Sequence, residues 1–397
     1  IQLQSTRNWG EAETGSTAGG AGAGDGNASG TVNDNDSSVG IHQAYMEFKN
    51  FLNLPMGFDA KIGRQEVLLD GWRLFGNTIW TPGMQSHDMV RLNHKQDNMS
   101  LTLGYILRGE SGRNVDTGDA DDWDVWLGHL NVKGVLGGQF SGYYVYSNQE
   151  QGLNGQSHNF HTIGGRQAGK AIGLDYRIEA YFQTGDDAGG VNATQISGNA
   201  GTNGAARDVA DFDMSAYMFG IRVGKTATSM ASKPSLTFWY DYLSGTDDKD
   251  GRDGQWSSFN TLYDTGHKYY GLIDMFLGVG FGGATGTQGL GLQDMAIRGK
   301  ISPMPGWTLK ADYHWFWTAE GVQANPVATG FGAVAAGTEL SNSLGNELDI
   351  TAVTKMNANT KIMIGYSNYT TTASMRQMKS LGANDINWGY VQFDVKF

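Results

Sequence analysis

Cysteine is absent from this chain of 397 residues, and proline is rare, with only 6 residues. Without cysteine there can be no disulfide, no zinc–thiolate site and no cysteine nucleophile. Charged residues are also scarce, at 17%, compared with roughly 25% in an ordinary soluble domain. Carboxylates outnumber Lys and Arg by 40 to 28, and this acidic balance argues against nucleic acid as a partner.

Long apolar runs are missing as well. A transmembrane helix needs about 20 consecutive apolar residues, and the nearest candidate, residues 269–281, is short and broken by glycines. Glycine, with 59 residues, and aromatic residues, at 11%, are abundant, which is unlike a disordered low-complexity chain. The N-terminus lacks a charged segment followed by an apolar core, so we expect either a mature chain or one that begins inside the protein.

Many segments alternate strictly between apolar and polar residues. In Trp307–Trp317 the odd-numbered residues are apolar, whereas the even-numbered ones include Lys310, Asp312 and His314. Because side chains of a strand alternate between its two faces, each such segment predicts a strand with one apolar face. The same period occurs in five other segments, residues 99–110, 172–183, 235–242, 295–301 and 361–366.

The connections between these segments alternate in length. Short ones, such as residues 96–98 and 303–306, are separated by long polar ones, such as 69–88, 149–159, 185–211 and 245–289. Such a meander has two unlike ends, as do outer-membrane barrels with short periplasmic turns and long extracellular loops. We therefore predict one antiparallel up-and-down β-barrel over residues 1–397, with about sixteen strands, or eighteen if the long connections hide another pair. A soluble sandwich also alternates, but its exposed face should carry more charge.

Aromatic residues support a membrane barrel. Phe393, Val395 and the final Phe397 share one face of an alternating last segment, and such an ending resembles the bacterial outer-membrane insertion signal. Other aromatic residues near predicted strand ends suit interfacial girdles: Trp123, Trp126, Trp307, Trp317 and Trp388. The predicted location is therefore the bacterial outer membrane, with its lipid and lipopolysaccharide as surroundings.

Two stretches resemble the alginate-export family of bacterial porins. The first runs Ile62-Gly-Arg-Gln-Glu-Val67, then Asp70-Gly-Trp-Arg-Leu74, then His87-Asp-Met-Val-Arg-Leu92. The second is Leu262-Tyr-Asp-Thr-Gly-His-Lys-Tyr-Tyr-Gly-Leu-Ile-Asp274. The resemblance implies an outer-membrane barrel, with passive secretion of the polyanion alginate through an arginine-rich lumen as the founding activity. This sequence departs from that type, because its candidate lumen charges are of both signs and His87-Asp88-Met89 stands where the family has FDG.

The lumen charges are the candidate determinants of selectivity, since rings of charge set ion preference in a narrow aqueous pore. We expect Arg64, Arg73 and Arg91 to form a cationic cluster, although Arg64 shares the parity of Ile62 and would need a bulge to face inward. Equally, these arginines could pair with neighbouring carboxylates and brace a loop. The ladder of Asp175, Arg177 and Glu179 favours bracing. The complete set of predicted pore-lining residues is Lys61, Arg64, Arg73, Arg91, Arg108, Asp175, Arg177, Glu179, Arg222, Arg298, Lys310 and Asp312.

The connection 245–289 is expected to be extracellular and to fold back into the pore as a constriction. Its candidate residues are Tyr263, His267, Tyr269, Tyr270 and Asp274. A hydrolase triad can be imagined from His267, Asp264 and Ser257 or Ser258, but no G-x-S-x-G elbow accompanies them. The sequence therefore predicts no catalytic residue.

An acidic run in the same connection resembles half of an EF-hand loop. Asp248, Asp250 and Asp253 are weak Ca²⁺ candidates, and solvated loop charge is the alternative. No other cofactor is predicted.

Taken together, these patterns predict a passive outer-membrane channel for ions and small polar solutes. Two alternatives stay open: an export conduit for an anionic polysaccharide such as alginate, and a barrel that holds a surface or electron-transfer protein as its partner.

Overall fold

The computed structural model describes residues 1–4, 40–80, 84–109, 123–152, 156–187, 212–247, 254–277, 286–287, 289–323, 338–379 and 384–396. Nineteen strands and one short α-helix, α1 (Ala373–Lys379), make up this part of the chain. The strands are β1 (Gln2–Gln4), β2 (Gly40–Phe48), β3 (Asp59–Gln65), β4 (His87–Gln96), β5 (Met99–Gly109), β6 (Trp123–Val135), β7 (Gly138–Gly152), β8 (Gln156–Ala171), β9 (Leu174–Asp187), β10 (Phe212–Thr226), β11 (Ser235–Leu243), β12 (Gln255–Trp256), β13 (Leu292–Ile301), β14 (Trp307–Trp317), β15 (Val322–Gln323), β16 (Glu339–Leu340), β17 (Ser343–Lys355), β18 (Thr360–Thr371) and β19 (Ile386–Val395).

Sixteen of the described strands follow one another as antiparallel neighbours, from β1 through β11 and then β13, β14, β17, β18 and β19. The two-residue strand β12 adds in parallel to β10, and β15 pairs only with β16. The prediction of an up-and-down sheet of about sixteen strands is confirmed. The predicted long connection over residues 149–159 is wrong, because β7 continues to Gly152 and β8 begins at Gln156.

The sheet is curled into a barrel around two chain segments. Asp70 contacts β6 and β7, whereas Trp80 contacts Trp388 of β19. In a flat sheet β6 and β19 would be ten strand steps, or about 48 Å, apart. The chain from residue 70 to residue 80 reaches at most about 35 Å. Both contacts are possible only because the sheet bends back toward itself.

The polarity of the sheet is the inverse of that in a soluble protein. On β14, Asp312, His314 and Phe316 are buried, and the alternating residues from Trp307 onward face outward. Apolar side chains cover the exterior, among them Trp126 with 52% of its surface exposed and Ile163 with 53%. Apolar-out and polar-in alternation is required where lipid lies outside and water inside. Among the described residues, no helix is long and apolar enough to cross a membrane.

Two segments between strands lie inside the barrel at its long-loop end. We call residues 66–80 the first inner segment and residues 254–277 the second inner segment. The backbone N–H of Gly76 donates to the carbonyl of Tyr263 over 2.8 Å, and the N–H of Tyr263 donates to the carbonyl of Leu74 over 2.9 Å. These bonds join the two segments, and their apolar side chains, including Phe75, Phe259 and Tyr269, form a buried cluster with the inner wall.

Candidate solute pathway

Arg73 connects the first inner segment to the barrel wall. Its side chain is 3% exposed and stands beside Glu179 of β9, at 3.1 Å, and Asp241 of β11. It also donates to the hydroxyl of Tyr270 over 2.6 Å and lies 3.7 Å above the ring of Tyr269. A guanidinium presents a fork of five N–H donors, which suits a site with several acceptors. Arg73 therefore ties both inner segments to two wall strands.

Arg222 of β10 binds the same two carboxylates from the wall side. Its Nη1 donates to Glu179 over 2.8 Å, and its Nη2 donates to Asp241 over 3.1 Å. Its guanidinium lies 3.2 Å above the ring of Trp239. Because both carboxylates are shared by Arg73 and Arg222, the buried charges neutralise one another in a network.

Asp70 anchors the first inner segment to the wall strands β6 and β7. His129 Nε2 lies 3.2 Å from its carboxylate, Gln139 donates to it over 3.1 Å, and the hydroxyl of Tyr143 also donates to it. Burial by itself would raise the pKa of Asp70, but hydrogen bonds from His129 and Tyr143 outweigh burial and lower this pKa to about 2. The carboxylate is therefore ionised at any physiological pH and holds the segment in place.

Glu347 of β17 anchors the second inner segment. Its Oε1 accepts the backbone N–H groups of Leu272, over 2.7 Å, and of Ile273, over 2.9 Å. The preceding residue, Gly271, has a φ of +84°, and a Cβ at this position would lie within 2.8 Å of the Glu347 carboxylate. Only glycine allows this close approach of backbone to carboxylate.

Lys268 is an exposed cation on the second inner segment. Its ammonium donates to the carbonyl of Gly71 over 3.1 Å and lies 4.2 Å above the ring of Trp72. Partial desolvation, and then the positive charges of four arginines, lower the pKa of Lys268 to about 8; those arginines are Arg177, Arg166, Arg298 and Arg73. The ammonium therefore lies in a region of positive potential, surrounded by cations from three wall strands and the first inner segment.

The sequence assigns this barrel to a family. Residues 1–387 match the family model described as Alginate export. The chain belongs to the alginate-export family. No curated protein sequence matches it significantly. Solved structures similar to this chain include Pseudomonas aeruginosa OccK5 (OpdH), at 13% identity over 86% of this chain and 78% of that chain, with a TM-score of 0.46. Acinetobacter baumannii OccAB1 is similar at 14% identity over 85% of this chain and 73% of that chain, with a TM-score of 0.48.

This alginate-export-family protein is thus an outer-membrane β-barrel. Its short turns lie on the periplasmic side, and the two inner segments enter from the extracellular side. The resemblance noted in the two sequence stretches correctly identified the family.

Several predicted residues meet at the inner segments. Arg73, Glu179 and Arg222 form the network described above, and Arg177 lies 3.4 Å from Glu179. Arg298 binds Asp312 through Nε, over 2.8 Å, and also donates to the carbonyl of Lys268 over 3.3 Å. The guanidinium of Arg108 lies 4.1 Å above Trp123 and 4.5 Å above Tyr263 of the second inner segment.

Other predicted residues lie in the lumen near the periplasmic turns. Lys61 is directly opposite Arg91 in the sheet, and its ammonium is 3.4 Å above the ring of Tyr45. Lys310 lies directly opposite Lys300. Asp175 pairs with Lys170 over 3.2 Å at a half-exposed position. The predicted set therefore divides into a group at the inner segments and a group at the periplasmic mouth.

Arg64 does not face the lumen, contrary to the expected cationic cluster. Its Nη2 lies 2.6 Å from the Asp88 carboxylate, which stands directly opposite in β4. Asp88 shares its face with Val90, which is exposed to the exterior, whereas Met89 on the other face is buried. The strands keep their register here, so no bulge turns Arg64 inward, and it braces the end of β3 instead.

The remaining constriction residues lie within the second inner segment. His267 Nδ1 is 2.8 Å from Asp274, and its ring stacks on Trp80 with centroids 4.1 Å apart. Tyr269 donates through its hydroxyl to the carbonyl of Gly71. The calcium candidates Asp248, Asp250 and Asp253 lie outside the described residues, as does Phe397. In the described part of the chain, no group of three or more His, Asp or Glu could hold a metal ion.

The predicted set of pore-lining residues leaves out Asp70, Asp241, Lys268 and Glu347. The alternation of the segment that forms β11 already indicates that Asp241 faces inward. Lys268 and Asp70 carry a weaker signal, as charged residues inside the two family-like stretches. Their partners are more than 50 positions away in sequence, and spacing along the chain does not reveal such pairs.

The Asp70 anchor gives a first testable prediction. Asp70→Asn should weaken attachment of the first inner segment by about 2 kcal/mol, because the lowered pKa corresponds to about that much stabilisation of the folded state. This stabilisation is present above pH 4 and is lost as pH falls toward 2. Amide hydrogen exchange over residues 66–80 should accelerate roughly 30-fold in the variant. Asp175→Asn, at a half-exposed ion pair, should leave exchange in this segment unchanged, and equal exchange in both variants would contradict the anchor.

Proposed function

We propose that this channel passes small anionic solutes passively in preference to cations. The supporting observation is Lys268, an exposed ammonium on the second inner segment whose pKa is lowered to about 8 in part by four neighbouring arginines. Desolvation is the largest cause of this shift, and the arginines add a positive potential where the inner segments narrow the lumen. Positive potential in a narrow aqueous pore raises the local concentration of anions and repels cations.

The balance of charges around the inner segments supports this proposal. The cations are Arg73, Arg166, Arg177, Arg222, Lys268 and Arg298, and the carboxylates that pair with them are Asp70, Glu179, Asp241 and Asp312. One further carboxyl, Asp264, has a pKa that burial raises to about 7 against the opposing charge of Arg73. It is therefore partly neutral at physiological pH, so these six cations outnumber the negative charges of the five carboxyl groups. Two other carboxylates of the inner segments, Glu66 and Asp274, pair with His42 and His267 instead.

The ion selectivity can be measured directly. The purified chain in a planar bilayer under a KCl gradient should give a reversal potential of the sign expected for chloride preference. Arg177→Gln removes a cation that, among the described residues, has one carboxylate partner, at 3.4 Å, and it should shift this potential toward zero. Lys49→Gln is the control, because Lys49 already pairs with Asp59 on an exposed turn. A potential of the opposite sign in the native channel would overturn the proposal.

The same recording also distinguishes two alternative functions. Export of an anionic polysaccharide, which the family name suggests, predicts block of the current by an alginate oligomer. A barrel that holds a surface or electron-transfer partner predicts no conductance from the isolated chain. We propose no catalytic role for His267, which pairs with Asp274 and stacks on Trp80. Calcium binding at residues 248–253 stays a prediction, to be tested by calcium titration.

A further inference from the structure

The periplasmic turns carry exposed apolar side chains at their tips. Six of the seven described turns on this side have at least one, the exception being the turn between β4 and β5. Leu136 is 75% exposed and Ile172 is 97% exposed. The other tip residues are Leu52, Met56, Met230, Met304 and Met356. Large apolar side chains at so many protruding positions would be unfavourable in water.

The backbone conformation at two of these tips is one that leucine and isoleucine rarely adopt. Leu136 has a φ of 46° and Ile172 a φ of 47°, both in the left-handed region. This conformation is disfavoured for leucine and a genuine outlier for β-branched isoleucine. Tight hairpin turns prefer Asn, Asp or Gly there, as in the β4–β5 turn, where Asp97 has a φ of 45°. Turn formation therefore does not explain Leu136 and Ile172.

The tips also continue the lipid-facing belt of the barrel. Trp126, 52% exposed on the exterior of β6 and packed against Tyr105 with ring centroids 4.8 Å apart, lies on the extracellular side of the same strand. Ten residues separate it from Leu136. At about 3.3 Å per residue and a strand tilt of about 40°, this spacing is about 25 Å along the barrel axis. The apolar band of an outer-membrane barrel is about 25 Å tall. Leu136 therefore lies at the inner edge of the hydrocarbon layer and does not extend beyond it.

We propose that the apolar turn tips insert into the periplasmic leaflet of the outer membrane. The barrel is then held at a fixed depth by side chains at the ends of its hairpins as well as by the outer faces of its strands. The turn between β4 and β5, with Asp97 at its tip, is the one part of this rim that stays in water. This assignment concerns the rim and does not depend on the selectivity of the pore.

The absence of cysteine permits a direct test, because one introduced cysteine is the only thiol. Leu136→Cys, Ile172→Cys and Asp97→Cys are each labelled with a nitroxide, and the protein is reconstituted into vesicles of phosphatidylethanolamine and phosphatidylglycerol. The three sites share nearly the same backbone conformation, so Asp97 is a matched control. Collisions of the label with oxygen, which concentrates in lipid, are compared with collisions with a water-soluble nickel chelate.

The labels at positions 136 and 172 should be several-fold more accessible to oxygen than to the nickel chelate, and the label at position 97 should show the reverse. Heat-modifiable migration in gels checks that each labelled barrel is folded. Equal access of the nickel chelate to all three labels would overturn the proposal. That result would mean that the tips lie in water, outside the lipid.

Discussion

Replacement of Arg73 by methionine is expected to release the first inner segment from the barrel wall and to raise the single-channel conductance. Arg73 is 3% exposed and is bound to Glu179, Asp241 and Tyr270, so its loss leaves two buried carboxylates with fewer cations. Removing one partner of a buried ion pair costs about 3–5 kcal/mol, far more than removing an exposed pair. The conformation with the segment bound inside the lumen should then be disfavoured by a factor of 100 or more.

A conductance measurement distinguishes release of the first inner segment from a general loss of stability. The hydrogen-bonded strands do not depend on Arg73, so the variant should still migrate as a folded barrel. Its current should be larger and noisier than that of the native channel, because the inner segment now moves in and out of the lumen. Arg73→Lys keeps the charge but lacks the planar fork, and it should restore the native conductance only in part. An unchanged conductance in Arg73→Met would show that this network does not set the width of the pore.

Local alternation in the sequence is sufficient to predict the sheet. Trp307–Trp317 was predicted as a strand with Asp312 and His314 on its inner face, and the structure places both there. Each strand pairs with its neighbours through regular hydrogen bonds, so the period of two along the chain fixes which side chains face lipid. Arg64 illustrates the same rule, because its parity with Ile62 indicated the exterior, and it is on the exterior.

The interior contacts could not be predicted in the same way. Arg73 meets Glu179 from 106 positions away and Tyr270 from 197 positions away. Which carboxylate a lumen arginine reaches depends on how the inner segments fold across the barrel, and no repeat in the sequence specifies that path. The alternatives of pore lining and bracing for the arginines therefore could not be separated by spacing. In the structure Arg73 and Arg222 brace the segments, whereas Lys268 stays exposed in the lumen.

The lowered pKa of Lys268 predicts that anion preference decreases as the pH rises. A lysine is charged below its pKa, so Lys268 carries a positive charge at pH 6.5 and loses it as the pH passes through about 8. Asp264, with a pKa of about 7, becomes negative over a neighbouring range and acts in the same direction. One unit charge within about 4 Å of a passing ion is worth about 1 kcal/mol in water. Because this charge attracts chloride and repels potassium, its loss should reduce the chloride-to-potassium permeability ratio by up to about 30-fold between pH 6.5 and pH 9.5.

Substitutions of Lys268 and Asp264 show which of these two groups causes each step in the pH dependence of the permeability ratio. Lys268→Gln should give the lower permeability ratio at every pH and should abolish the step near pH 8. Lys268→Arg should keep the higher ratio up to pH 9.5, since arginine remains charged throughout this range. Asp264→Asn should remove the step near pH 7 and leave the one near pH 8. If the step near pH 8 persists in Lys268→Gln, another group titrates there, and the positive potential at the inner segments does not act through this lysine.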